Sequence, residues 1–225
     1  MNRRLQFQGE RSPSLAPKIS IISWYTLCVF AAAFSTFTAL EEGSSPGDLG
    51  RQVALLACAV IYISRAAVTL FVFVKRKIPW WEAASGGGLI GFVLFTFLSN
   101  GLRTPEPLGF VDVVGALLYL TGSYLGTGSE YSRHVWKARP ENQGHFYTEG
   151  LFRYARHINY FGDLLLFCGF AVLTQQMWTG IVPLIMGLNF VLILIPAQDA
   201  YLASRYGTEF DNYARRTKKL IPLVY

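Results

Sequence analysis

The residues with the most chemical content crowd into one stretch, Arg153-Tyr154-Ala155-Arg156-His157-Ile158-Asn159-Tyr160-Phe161-Gly162-Asp163. Read as a helix, this stretch sets Asn159 and Asp163 four residues apart on one face, and Arg156 and Tyr160 on another, with His157 between them. A long apolar run follows, so Asp163 lies about one turn inside a membrane span. An ionisable group there is costly and marks a functional-site candidate. An ion pair that only fixes helix packing is the plainer alternative. An amide and a carboxylate spaced to meet one ligand suit the binding of a polar cofactor group better than an isolated acid does.

Two basic, aromatic-rich segments flank this stretch. The loop Tyr131 to Asn159 carries Arg133, His134, Lys137, Arg139, His145, Arg153, Arg156 and His157, interleaved with Trp136, Phe146, Tyr147, Phe152 and Tyr154. Beyond the last apolar run come Gln198, Asp199, Tyr201, Arg205 and Tyr206. The chain continues through Glu209, Tyr213, Arg215, Arg216, Lys218 and Lys219. Tyr206-Gly207 reads as the end of one helix, and Thr208 as the cap of the next. Arginine pairs with phosphate in a bidentate way and lysine supplies a point charge, so both segments suit a phosphate-rich ligand. The plainer readings are topology signals, lipid-phosphate contacts and an interfacial helix with snorkelling basic residues.

Other chemistries find little support. There is no GxGxxG and no Walker motif, and Gly86-Gly87-Gly88 reads as span-packing glycine. No His/Cys/Asp set has metal-ligand spacing, so no metal site is expected. No Ser-His-Asp or Cys-His arrangement stands out. Cys28, Cys58 and Cys168 lie in apolar stretches and form no CxxC, which argues against a disulfide framework.

These residues must be positioned by membrane helices. The chain has 225 residues, 52% hydrophobic and only 15% charged, with a mean hydropathy of +0.33. Soluble domains carry about a quarter charged residues. The composition predicts an all-α integral membrane protein, one polytopic domain over residues 1–225, and no nucleic-acid partner despite the net charge of +6. A span needs about 20 apolar residues. Six stretches qualify, at about Ile19–Leu40, Val53–Val74, Gly86–Leu98, Gly109–Leu125, Tyr160–Thr174 and Trp178–Ile195, where Pro196 ends the last apolar pattern. With both termini cytoplasmic, 17 of the 20 lysines and arginines fall on the inside, Arg51 and Arg103 lie in outer loops, and Arg65 lies within span two. The first 18 residues show no cleavable signal pattern, so span one is expected to be retained.

The run from Gly150 to Asp163 resembles the C-terminal signature of a membrane superfamily that includes steroid 5α-reductases, sterol C14 reductases and isoprenylcysteine carboxyl methyltransferases. Phe210-x-x-Tyr213 followed by Leu220-Ile221-Pro222 is similar to the way steroid 5α-reductases end. The resemblance covers about Arg133 to Tyr225. The methyltransferase branch uses S-adenosylmethionine, usually has proline where this chain has Ile158, commonly lacks the acid after the glycine, and carries paired glutamates after its last span. Here that pair is Gln198-Asp199. The reductase branch has asparagine followed four residues later by an acid, as in Asn159 and Asp163. Both comparisons favour the reductase branch.

The resemblance implies an NADPH-dependent reductase of an activated C=C bond in a steroid-like or other lipid that enters from the bilayer. Residues 131–225 would form the cofactor-binding half. Lys137 and Arg139 would meet the phosphates, with Arg133 nearby; Arg153, Tyr154, Arg156, His157 and Tyr160 would line the cofactor mouth. Asn159 and Asp163 would orient the nicotinamide, and Asp199, Tyr213 and Arg216 would close the site. The proton donor is open: Tyr160 and Glu82 are catalytic candidates, as are Tyr62 and Tyr119. The alternative is an S-adenosylmethionine-dependent methyltransferase of the isoprenylcysteine carboxyl type, and a further alternative is a non-enzymatic lipid-binding membrane protein. The family resemblance points to a bacterial inner membrane, with the endoplasmic reticulum as the other location. Membrane lipids are the remaining expected partners.

Overall fold

A computed structural model describes residues 14–43 and 47–225. The basic residues Arg3, Arg4 and Arg11, and most of the segment judged for a signal pattern, lie outside the described residues. Among the described residues the architecture is helical, without strands: α1 (Leu15–Glu41), α2 (Leu49–Phe73), α3 (Trp80–Gly101), α4 (Phe110–Ala138), α5 (Ile158–Leu173), α6 (Met177–Tyr206) and α7 (Thr208–Arg216). Five of these, α1 to α4 and α6, are long and apolar enough to cross a membrane. At 1.5 Å per residue the 16-residue α5 spans about 24 Å, short of the roughly 30 Å hydrocarbon layer.

The helices form two compact units. One comprises, among the described residues, 14–43, 47–119 and Phe167–Val182. In α1 the residues Ile21, Tyr25, Cys28, Ala32, Thr36 and Ala39 recur every three or four positions as one buried stripe, which packs chiefly against α3. The opposite face is apolar too, with Leu27, Phe30, Phe34 and Phe37 exposed. A helix that is apolar all round has no water-facing side, which fits a lipid-facing span. Of Gly86-Gly87-Gly88, expected to be packing glycines, only Gly87 is so placed that a Cβ would meet a described neighbour, Ile21; at Gly86 and Gly88 a Cβ would face open space, although the Gly88 carbonyl accepts from Trp24 Nε1 at 3.3 Å.

Arg51, expected in an outer loop, instead sits in the first turn of α2 with its side chain 1% exposed. Asp48 caps that helix by accepting from the Arg51 amide at 2.8 Å. The guanidinium donates to Asp112 at 2.5 and 3.1 Å, and to the carbonyls of Leu173 and Glu106. The Gly109 amide donates to Asp112 at 2.8 Å. Asp112, an acid within the fourth apolar segment, is therefore the counter-ion of a fully bonded buried arginine, as a buried charge requires.

The other unit holds Leu120–Leu166 and Pro183–Tyr225. Here α4 and α5 meet backbone to backbone: a Cβ on Gly162 would lie 2.7 Å from the Gly122 carbonyl oxygen and 2.5 Å from the Gly126 amide nitrogen. Small residues permit that approach. Pro196 does not end the last apolar helix. A π-helical turn, Phe190–Leu194, precedes it, and the helix continues to Tyr206. The wider turn shifts the hydrogen-bond ladder around a residue that has no amide proton to give. Thr208 does not cap α7. Gly207, at φ +52°, joins the two helices by itself and leaves Thr208 as the first helical residue.

Candidate functional site

The backbone departs from two local expectations. The segment Tyr131–Asn159 does not start as a loop, because α4 runs to Ala138. Arg133 and Lys137 thus stand on a helix, four residues apart and on one face. The stretch from Arg153 to Asp163 is not one helix either. Gly150–Arg153 form a 3-10 turn and α5 begins only at Ile158. Between them the Arg156 and His157 amides donate to the carbonyls of Lys218 and Lys219 at 2.8 and 3.0 Å, and Ala155 bridges in parallel to Lys218. These amides find partners in a distant segment, so the i, i+4 relation between Arg156 and Tyr160 does not exist. Asn159 and Asp163 do share α5, one turn apart.

Asp199, on α6, gathers two of the expected residues. Its Oδ2 accepts from Arg156 Nη2 at 2.9 Å, and its Oδ1 lies 2.9 Å from His157 Nε2. Arg156 Nη1 also donates to the Ala214 and Thr217 carbonyls at 2.8 Å each. The Arg156 side chain is 7% exposed, and its Nε is buried without a hydrogen-bond partner among the described residues. His157 stacks on Tyr160, and Tyr160 on Phe190. The Tyr160 hydroxyl donates to Gln198 Oε1 at 2.5 Å.

On the α4 side, Asn159 Nδ2 donates to Glu130 Oε1 at 3.0 Å. The other Glu130 oxygen pairs with Arg133, whose guanidinium lies 5.5 Å from the Phe152 ring centroid. Glu130, Arg133 and Asp163 all lie within electrostatic reach of the Tyr160 phenol. The structure thus draws Arg133, Arg156, His157, Asn159, Tyr160, Asp163 and Asp199 around one inner cluster. Glu130 and Gln198 complete it. Glu130 was missed by reading loops. Its signal was its place three residues before Arg133, on a helix whose only other acid is Asp112.

The remaining residues stand further out. Tyr213 is buried, and its hydroxyl donates to the Phe152 carbonyl at 2.6 Å. Burial pushes its phenol well above the ordinary value, with Arg156 opposing and Asp199 adding to the shift. Phe146 packs against Tyr206, Phe210 and Tyr213, and its amide donates to Glu209. Lys137 reaches the Tyr206 hydroxyl at 3.0 Å, and Arg153 lies over its neighbour Tyr154. Lys137, Arg139, Arg153, Tyr154 and Arg216 are exposed. Three proton-donor candidates belong to the other unit: Glu82 pairs there with Arg76, Tyr119 donates to the Cys58 carbonyl, and Tyr62 packs edge-on to Phe167.

The inner cluster therefore holds two ion pairs, Arg156 with Asp199 and Arg133 with Glu130, and an imidazole on the Asp199 carboxylate, while the outer residues are mostly cations. Such a centre can bind a ligand that carries both charge signs, and a rim of cations can bind anionic groups.

Residues 88–217 match the family described as "Protein of unknown function (DUF1295)". A Schizosaccharomyces pombe protein named "Protein-S-isoprenylcysteine O-methyltransferase" is 26% identical over 227 residues, covering 92% of this chain and 94% of that protein. An Oryza sativa subsp. indica protein named "Probable protein-S-isoprenylcysteine O-methyltransferase" is 24% identical over 142 residues, covering 60% and 74%. An Arabidopsis thaliana protein named "Protein-S-isoprenylcysteine O-methyltransferase B" is 27% identical over 112 residues, covering 50% and 56%.

Proposed function

The chain belongs to the DUF1295 family, and from that premise we propose that it is a multi-pass membrane enzyme that transfers a methyl group from S-adenosylmethionine to a carboxylate on a lipid-like molecule. The observation that carries this reading is the charge balance of the inner cluster. Arg156 is matched by Asp199, and Arg133 by Glu130. S-adenosylmethionine has a carboxylate, an ammonium and a sulfonium, so it needs acids as well as bases around it. NADPH, with its three phosphates, would call for unpaired cations. The names of the relatives support the same choice.

The donor set fits such a cofactor. Arg156 keeps a buried donor, Nε, without a partner among the described residues, which suits an acceptor oxygen. Glu130 and Asp199 would offset the positive groups, and the stacked rings of Tyr160 and Phe190 would give an apolar wall. When bound, the cofactor supplies an electrophilic methyl carbon. A substrate carboxylate is already deprotonated, so its attack needs no general base. Asp199 holds Arg156 and His157 in place. The exposed Lys137, Arg139, Arg153 and Arg216 would draw an anionic substrate toward the site. In this reading residues 131–225 carry the cofactor site. The short α5 would cross as the fifth of six spans where the bilayer thins around it, with both termini cytoplasmic, and the lipid substrate would enter from the bilayer.

A second reading remains, favoured by one observation: Asn159 and Asp163 stand one turn apart on α5. It is the NADPH-dependent reduction of an activated C=C bond in a steroid-like lipid. The test is to purify the protein into lipid discs with tritiated-methyl S-adenosylmethionine and a farnesylated cysteine bearing a free carboxylate. A parallel reaction pairs NADPH with an enone lipid. Base-labile methyl label on the free acid, and none on its methyl ester, is the expected result. NADPH consumption with no methyl transfer would overturn the proposal in favour of the reductase.

A further inference from the structure

We infer that the segment Arg215–Tyr225 is an anionic-lipid sensor: it lies in the bilayer interface, binds acidic phospholipid headgroups, and in that state fixes the backbone of Arg156 and His157. Leu220 is buried with Phe190 and Ile195, two residues of the membrane-length helix α6. The chain has therefore left that helix through α7 and returned to its apolar part.

The residues that follow Leu220 are apolar and uncovered. Leu223 is 82% exposed and Val224 69%, with Ile221 and Tyr225 partly exposed beside them. The Leu220 and Ile221 amides donate to the Tyr225 main-chain oxygen at 2.7 and 2.8 Å, the Val224 and Tyr225 amides donate to the Ile221 carbonyl at 3.1 and 3.0 Å, and Leu223 has a φ of +66°. This closed turn presents aliphatic side chains while these four amides are bonded within it, which lowers the cost of approaching a low-dielectric layer. Arg215, Arg216, Lys218 and Lys219 precede it and are all exposed. The nearby acids on α7 are Glu209 and Asp211, and Glu209 already accepts from the Phe146 amide. Exposed cations next to exposed aliphatic and tyrosine side chains complement an acidic membrane surface, with charge meeting headgroups and apolar groups meeting acyl chains.

The same segment holds the candidate site. The Lys218 and Lys219 carbonyls accept from the Arg156 and His157 amides, and the Thr217 carbonyl accepts from the Arg156 guanidinium. Lipid that pins the side chains of Lys218 and Lys219 thereby pins the carbonyls between them. This coupling needs no particular reaction at the site.

The test is hydrogen–deuterium exchange of the full chain in discs of phosphatidylcholine alone and in discs with phosphatidylglycerol. The expected result is slower exchange in the acidic discs, on the order of tenfold, both in residues 218–225 and at the Arg156 and His157 amides. In a Lys218→Glu, Lys219→Glu variant the two lipids should give equal rates. For the wild type, raising salt to about 1 M, where the screening length falls to roughly 3 Å, should remove the difference without any substitution, whether or not the variant folds. Equal exchange in both lipids at low salt would overturn the proposal. Protection of the tail without protection at Arg156 and His157 would overturn the coupling.

Discussion

Replacing Asp199 by asparagine keeps the side-chain volume and removes the charge that holds Arg156 and His157. The carboxylate makes two contacts of 2.9 Å, one to each partner. Asparagine has one acceptor oxygen, so its amide group must face either the Arg156 guanidinium or the His157 ring. A hydrogen bond to a charged group contributes about 1.5–3 kcal/mol, and breaking a buried ion pair costs about 3–5 kcal/mol. Asp199 is 20% exposed, so water offsets part of the loss and the lower end applies, about 3 kcal/mol. That corresponds to roughly a hundredfold shift in the folding equilibrium. Unfolding of the wild type and the variant in mixed micelles with increasing denaturing detergent measures it. S-adenosylmethionine binding should fall as well, because Arg156 would no longer be held. A variant within about 1 kcal/mol of the wild type would show that the Ala214 and Thr217 carbonyls suffice to hold Arg156, and the reasoning would fail.

Two further outcomes follow from other buried groups. Tyr213 has its phenol pushed above the ordinary value by burial, so the native state holds that proton more tightly than the unfolded state; its contribution is complete below the ordinary tyrosine pKa of about 10 and declines as pH rises above it. The stability difference between wild type and Tyr213→Phe, measured by unfolding at a series of pH values, should accordingly narrow above about pH 10 and stay level below it. Arg51→Met should cost about 3–5 kcal/mol, because Asp112 would be left buried without its cation, and adding Asp112→Leu should recover part of that loss, which a double-mutant cycle in detergent reads directly.

Helix type was legible in the sequence because a membrane span is written in composition alone. The apolar runs fall where α1 to α6 lie, and the resemblance drawn from Arg133 onward leads to the same superfamily as the relatives. What stayed hidden depended on partners far away in the chain. Nothing local in Arg156-His157 announces that their amides are taken by the Lys218 and Lys219 carbonyls, so a continuous helix was the natural reading of their spacing. Pro196 looked like a terminus because a π-helical turn that relieves its missing donor has no composition of its own. Arg51 counted as a loop charge because its partner Asp112 lies 61 positions away. Glu130 escaped notice because the apolar run ended before it, while the helix did not.

The division of charge between the centre and the rim of the site explains why spacing alone favoured one cofactor and the three-dimensional cluster another. Counted along the sequence, the region is rich in lysine and arginine, and phosphate is the obvious ligand. Folding removes Arg156 and Arg133 from that count, since each has its own carboxylate. The cations left over are exposed, where water and salt weaken their hold on a small ligand but not their pull on a charged lipid surface. A buried guanidinium that already has its counter-ion gains little from a second anion and gains more from a ligand that also feeds the nearby acids. If the reductase reading were right, the NADPH phosphates would lie on the exposed Lys137 and Arg139, and neutralising Glu130 should leave cofactor affinity level or raise it by removing a nearby negative charge. If the methyltransferase reading is right, affinity for S-adenosylmethionine should fall in the same variant. The sign of that one change, measured on Glu130→Gln with both cofactors, separates the two chemistries without knowledge of the substrate.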